Sequence, residues 1–280
     1  MIATHLLDRY TNEHSRFLVI DNTLVHYRIE GEGFPIVLLH GAFSSLHTFE
    51  DWTKSLKKTR KVIRLDLPGF GLTGPKPDNE YSITGHLRFI KRFLKMLGIE
   101  QFDLAGSSLG GWLSWELALR SPERVRKLIL IDSAGFLDPT CIPAPFKLAQ
   151  TPFFVKILKY TIRKNILESY VKQVYYDESK VDDALVQRYY DLFTRDGNPE
   201  AFVSMVNSKF KDNTRQLKKI DTPTLILWGN EDEWIPVEFG HEFHERMPNA
   251  NMIIYKETGH LPMEEKGRKT VKDVLEFIAA

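Results

Sequence analysis

The pentapeptide Gly106-Ser107-Ser108-Leu109-Gly110 follows a short apolar run ending near Ala105 and opens a segment of helical length, and it fits the pattern G-x-S-x-G. In a sharp strand-to-helix turn the central residue is forced into a strained backbone conformation. Glycines two positions to either side remove the side chains that would collide there. Ser108, rather than Ser107, therefore stands at the apex as a candidate nucleophile, and the start of the following helix offers the backbone N–H of Leu109 to a developing oxyanion. A serine hydroxyl is a weak nucleophile near neutral pH and needs a base. The run Asn251 to Tyr255 reads as a late strand, and the loop directly after it, Glu257-Thr258-Gly259-His260-Leu261-Pro262, supplies His260.

The remaining histidines fit the task less well. His241 and His244 lie in a charged helical stretch that is not an H-E-x-x-H zinc motif, and His5, His14 and His26 precede the core strands. For the acid that orients the base, the apolar run Leu225 to Trp228 leads into a loop crowded with carboxylates, and spacing alone leaves Glu231, Asp232 and Glu233 equivalent. Asp132, after Leu128 to Ile131, is a further candidate because it too ends a strand. The run Val37 to Leu39 opens into His40-Gly41-Ala42-Phe43-Ser44-Ser45, a small-residue loop able to bring a second N–H, that of Ala42, opposite that of Leu109. His40 is expected to make a structural hydrogen bond in this loop rather than to act as a base.

These residues need a scaffold. Short apolar runs bounded by turn residues occur at 17–20, 24–29, 35–39, 62–67, 102–105, 125–131, 223–228 and 251–255, and read as strands. Helix-length segments lie at 47–58, 81–97, 109–120, 237–247 and 267–279. The alternation implies an α/β fold with a mainly parallel, doubly wound sheet, and the first two runs, joined at Asp21-Asn22, suggest an antiparallel hairpin at one edge. Between residues 136 and 215 the alternation breaks into helical candidates rich in aromatics, including Phe146, Phe153, Phe154, Tyr160, Tyr170, Tyr175, Tyr189 and Phe193, with a helix start expected at Thr151-Pro152. The reading is thus a core formed by 1–135 and 216–280, with an all-helical insertion at 136–215 between two core strands.

Composition narrows the functional classes. The 280 residues carry 38 basic and 37 acidic side chains, a formal charge of +1, which gives no overall pull toward nucleic acid or an anionic membrane. Lys156, Lys159, Arg163 and Lys164 read as a solvated helix face. No stretch approaches the roughly 18 uninterrupted apolar residues of a membrane span. The lone cysteine, Cys141, reads as a small buried or half-buried residue, and with no disulfide and no secretory signal the expected location is cytoplasmic.

Taken together, the motifs resemble those of the α/β-hydrolase superfamily over about residue 16 to 280. Leu38-Leu39-His40-Gly41 is similar to the family's oxyanion loop. Asp66-Leu67-Pro68-Gly69-Phe70-Gly71 resembles its D-x-P-G-x-G loop, and Gly106 to Gly111 its nucleophile elbow. Gly229 to Pro236 resembles its G-x-x-D-x-x-x-P acid loop, and Gly259-His260 its last element. The resemblance selects Asp232 as the acid, leaves Asp132 in reserve, and makes the helical insertion a cap over the active site. It implies a Ser108–His260–Asp232 triad with Ala42 and Leu109 as oxyanion donors, needing neither metal nor organic cofactor. Serine at the elbow argues against the aspartate-dependent haloalkane dehalogenases and epoxide hydrolases, and the proline iminopeptidase pattern Gly-Gly-Ser-Trp-Gly is missing. Hydrolases of meta-cleavage ring-fission products usually carry tryptophan directly after the histidine, where this chain has Leu261. The expected activity is that of a carboxylesterase on a small-molecule ester with an apolar group. The alternatives are a carbon–carbon bond hydrolase of the meta-cleavage-product type and a ligand-binding regulator on the same scaffold, with lipase and perhydrolase variants further off. Oligomeric state is left open.

Overall fold

The computed structural model describes residues 2–151 and 162–280. Eight strands form one sheet: β1 (Ser15–Ile20), β2 (Thr23–Glu30), β3 (Phe34–Leu39), β4 (Arg60–Leu65), β5 (Phe102–Ser107), β6 (Val125–Ile131), β7 (Thr224–Gly229) and β8 (Ala250–Tyr255). Their spatial order is β1-β2-β4-β3-β5-β6-β7-β8, with β2 antiparallel to both of its neighbours and β3 to β8 parallel. The hairpin turns at Asp21 and Asn22, both at positive φ, the combination that matches the twist of a two-residue hairpin.

Every position of β5 and β7 is buried, which requires helices on both faces of the sheet. Before the β6–β7 interval the helices are α1 (Thr4–Tyr10), α2 (Glu50–Leu56), α3 (Ile83–Met96) and α4 (Leu109–Arg120). The interval itself contains α5 (Ala144–Ala149), α6 (Lys164–Gln173), α7 (Asp183–Phe193) and α8 (Asn198–Val206), and no strand among the described residues. After β7 come α9 (Val237–Arg246), the single turn α10 (Pro262–Glu265) and α11 (Gly267–Ala279). The Trp52 indole N–H donates to Thr270 Oγ1 at 2.8 Å and ties α2 to α11. No helix among the described residues is long and apolar enough to cross a membrane.

The chain runs from β3 outward to β4 and then returns across β3 to place β5 on its other side. The carboxyl ends of β3 and β5 therefore border the point where the winding reverses, the position at which open α/β sheets leave a crevice for ligands. Residues 40–44 and 107–109 emerge there. Asp66, just past β4, braces this edge. It is fully buried, and its carboxylate accepts from the N–H groups of Leu46 and Leu72, both at 2.8 Å, and pairs with His26 Nδ1 at 2.8 Å. Burial pushes the Asp66 carboxyl up, but the pairing with His26 more than offsets it and holds the group well below the usual carboxylate range.

Candidate functional site

Ser108 occupies φ 53° and ψ −116°, a strained combination for a residue with a side chain. Three backbone bonds hold it: its N–H donates to Ile131 O at 3.0 Å, and its carbonyl accepts from Trp112 and Ala134, each at 3.0 Å. The flanking glycines are required by space. A Cβ on Gly106 would lie 2.1 Å from Gly110 O, and one on Gly110 would lie 2.1 Å from Leu39 O. Leu109 begins α4, so its N–H has no partner within the helix. Gly41 packs against the serine closely enough that a Cβ there would sit 3.0 Å from Ser108 Cβ. This contact brings Ala42 to the same cavities as Ser108.

His40 locks the loop as anticipated. Its Nε2 accepts from Leu67 N–H at 2.9 Å, which leaves Nδ1 protonated to donate to Gly41 O at 2.7 Å. Burial lowers its pKa, in keeping with a neutral ring.

The structure distinguishes the three carboxylates after β7. Asp232 Oδ2 accepts from His260 Nδ1 at 2.7 Å, and Oδ1 accepts from Trp234 N–H at 2.8 Å and Ile235 N–H at 2.9 Å. Glu231 instead caps the histidine loop by accepting from Thr258 N–H at 2.9 Å, and Glu233 is exposed. Because Nδ1 donates to Asp232, Nε2 of His260 is left with a free lone pair, as a general base requires. Ser108 and His260 line one cavity together.

Asp132 also comes to this place. It is fully buried at φ 41°, and one of its oxygens lies within 4.8 Å of both an Asp232 oxygen and a His260 ring nitrogen. Oδ1 accepts from Gly229 N–H at 2.9 Å, whereas no N–H donor reaches Oδ2 and the carboxyl lies against that of Asp232. Burial and then the charge of Asp232 push its pKa well above the usual carboxylate range. Burial beside Asp232 thus favours the protonated form of Asp132 behind the Asp232–His260 pair. A metal would have to compete with the proton on Asp132 and with the Asp232–His260 bond, so the donor set fits an acid–base array better than a cation site.

Two glutamates that had no role in the sequence reading hold the histidine loop to the insertion. Glu264 accepts from Tyr175 OH at 2.9 Å, Tyr189 OH at 3.0 Å, Thr48 Oγ1 at 2.5 Å and Arg188 at 2.8 Å. Glu265 accepts from the N–H groups of Gly259, Tyr176 and Asp177 at 2.8, 3.2 and 2.9 Å, and His260 N–H donates to Val174 O at 2.9 Å. Pro262, followed by two acidic residues, was the available signal for the short helix that carries them.

Two cavities meet at Ser108. One, of about 260 Å³, is lined by Trp112, Phe136, Ile142, Phe146, Met205 and Phe210 among others, with half-buried Cys141 also on its wall. The other, of about 40 Å³, is lined by Leu167, Tyr170, Val171, Val174, Tyr189 and His260. Among the described residues of the insertion, the aromatics that face the site are Phe136, Phe146, Tyr170, Tyr189 and Phe210. Pro152, Phe153, Phe154, Tyr160, Lys156 and Lys159 lie outside the described residues, and Arg163 is exposed.

A serine in a strained elbow, a carboxylate-oriented histidine and an eight-stranded sheet in this order define an α/β-hydrolase. The chain belongs to the alpha/beta hydrolase fold family, whose pattern it matches over residues 35–267. It is 29% identical over 257 residues to an uncharacterized hydrolase of Bacillus subtilis, covering 90% of this chain and 92% of that one. It is also 29% identical over 259 residues to the 2-hydroxymuconate semialdehyde hydrolase of Pseudomonas putida, covering 89% of each. Among solved structures it resembles the meta-cleavage product hydrolase of Pseudomonas fluorescens IP01, at 25% identity and a TM-score of 0.82 over 94% of this chain and 97% of the other.

Proposed function

We propose that this hydrolase cleaves carboxylic esters with an apolar acyl group, through an acyl-enzyme on Ser108. His260 takes the Ser108 proton, Asp232 holds the imidazole and stabilises it once charged, and the N–H groups of Ala42 and Leu109 receive the tetrahedral oxyanion. The alcohol leaves with the proton from His260, and water repeats the cycle. Residues 136–215 act as the cap that encloses the substrate. The observation that carries the ester reading is the lining of the two cavities at Ser108, which among the described residues contains no lysine or arginine and no histidine but His260. A neutral ester loses little on entering such a space, whereas an anionic substrate would be desolvated without a counter-charge.

A second reading, hydrolysis of a carbon–carbon bond in a meta-cleavage product, is favoured by the relatives above, which weigh toward it more than toward an esterase. The same triad and oxyanion donors would serve it. The two readings are separated by assaying p-nitrophenyl esters from acetate to dodecanoate beside 2-hydroxymuconate semialdehyde, each with wild type and Ser108→Ala. Serine-dependent multiple turnover of the esters supports the first. Turnover of the semialdehyde alone replaces it with the second, and a single turnover with retained product would turn the protein into a ligand-binding regulator.

A further inference from the structure

The ester reading leaves open which side of the substrate is large, and the two cavities differ sixfold in size, about 260 against 40 Å³. They share Ala42, Ser108 and Trp234, so Ser108 stands where they meet. Their other walls differ in chemistry. His260 lines the small cavity, while Leu109, the second oxyanion donor, lines the large one.

Resting on the ester reading, we infer that the small cavity takes the alcohol and the large cavity the acyl chain, so that the preferred substrates are medium-chain acyl esters of one- or two-carbon alcohols. The assignment follows from the path of the proton. When the tetrahedral intermediate collapses, the bond from the carbonyl carbon to the alkoxy oxygen breaks. The electron pair goes to that oxygen, and the proton that His260 took from Ser108 is delivered to it. The alkoxy oxygen must therefore lie on the His260 side of Ser108, and the carbon attached to it extends into the space that His260 lines. The acyl carbon stays bonded to Ser108 with its oxygen toward Ala42 and Leu109, and its chain runs on into the space that Leu109 lines.

Size then sets the chemistry. On the scale of a dry cavity of about 150 Å³ that holds a benzene ring, about 25 Å³ per carbon, a 40 Å³ space accepts little more than a methoxy or ethoxy group. On the same scale 260 Å³ takes an acyl chain of about ten carbons at most. The small cavity is closed off by Leu167 and Val171, both buried on α6, and by Val174, whose carbonyl holds His260 N–H. A longer alcohol would have to displace that backbone.

The experiment compares methyl nonanoate with its isomer octyl acetate, using the full-length enzyme in a pH-stat with Ser108→Ala as the blank. The expected result is a kcat/KM for methyl nonanoate at least about tenfold above that for octyl acetate, since each methylene left outside an apolar pocket forfeits about a factor of four and two of them exceed tenfold. Val171→Ala, which enlarges the small cavity, should raise turnover of butyl acetate relative to methyl acetate. Serine-dependent hydrolysis with equal rates, or with octyl acetate ahead, overturns the assignment while leaving the esterase intact. If neither isomer is hydrolysed in a Ser108-dependent way but the semialdehyde is, the ester reading fails and this inference falls with it.

Discussion

Asp232→Asn tests whether the acid works through the tautomer of His260. Asparagine is isosteric, but only one of its two terminal atoms accepts hydrogen bonds. At this position Oδ1 receives two backbone N–H groups, from Trp234 and Ile235, while the other oxygen receives His260 Nδ1. The amide oxygen will therefore stay with the two N–H groups, because the opposite orientation would set an NH2 against both. The NH2 must then face Nδ1, which can meet it only as an acceptor, and the ring proton moves to Nε2. The ring is left in place but cannot accept a proton from Ser108. A base held in the wrong tautomer is expected to lose about 10⁴-fold in kcat, about 5.4 kcal/mol of barrier. Steady-state hydrolysis of a p-nitrophenyl ester at neutral pH measures it, with circular dichroism to confirm folding and Asp132→Asn as comparison. Burial and the neighbouring Asp232 favour the protonated form of Asp132, so its amide should keep kcat within the same order of magnitude. If Asp232→Asn lost less than about tenfold while Asp132→Asn lost the larger factor, the orienting acid would be Asp132 and the tautomer argument would be wrong.

Three further outcomes follow from buried groups. Asp132 has a folded pKa above its unfolded value near 3.9, so the native state keeps a proton that the unfolded chain releases, and the contribution of this group to stability falls as pH rises from about 4. Asp132→Asn escapes that fall, and its urea midpoint should gain on wild type between pH 4 and pH 7; a constant difference would refute the neutral assignment. Asp66 has the opposite sign: its depressed pKa lends stability above the unfolded value that is lost as pH drops below about 4, and Asp66→Ala should cost about 3–5 kcal/mol in neutral urea denaturation by stranding His26 and two N–H groups. A loss below about 1 kcal/mol would mean that water replaces the carboxylate. Gly110→Ala should destabilise by about 1–3 kcal/mol and abolish turnover, because the new methyl can be accommodated only by moving α4 off β3; intact activity would show that the elbow tolerates the shift.

The sheet was legible because apolar runs of strand length alternate with amphipathic helices, and each of the eight expected strands exists within about two residues of its expected bounds. The elbow was legible because space alone dictates glycines around Ser108. The choice among Glu231, Asp232 and Glu233 was not legible from spacing. It is made by the turn through Trp234 and Ile235, whose N–H groups converge on one carboxylate, and the family resemblance supplied it in advance. Helix α1 escaped notice because its partners are remote in sequence: Tyr10 OH donates to Asp191 at 2.7 Å, and Leu6 and Tyr10 pack with Leu72 and Leu192. The ties from Glu264 and Glu265 to the insertion were hidden for the same reason, since their partners lie about 75 to 90 residues earlier.

Those ties bear on how such enzymes are altered by exchanging whole segments. The peptide that presents His260 is hung from the insertion: Val174 receives its N–H, and a Cβ on Gly259 would strike Val174 O at 2.7 Å and Tyr176 N at 2.9 Å. A transplanted insertion must reproduce that backbone seam as well as the pocket wall. One that does not would loosen the base along with the selectivity, so chimeras of this protein should fail in kcat before they reveal a new substrate preference. The insertion and the peptide that carries His260 are one mechanical unit.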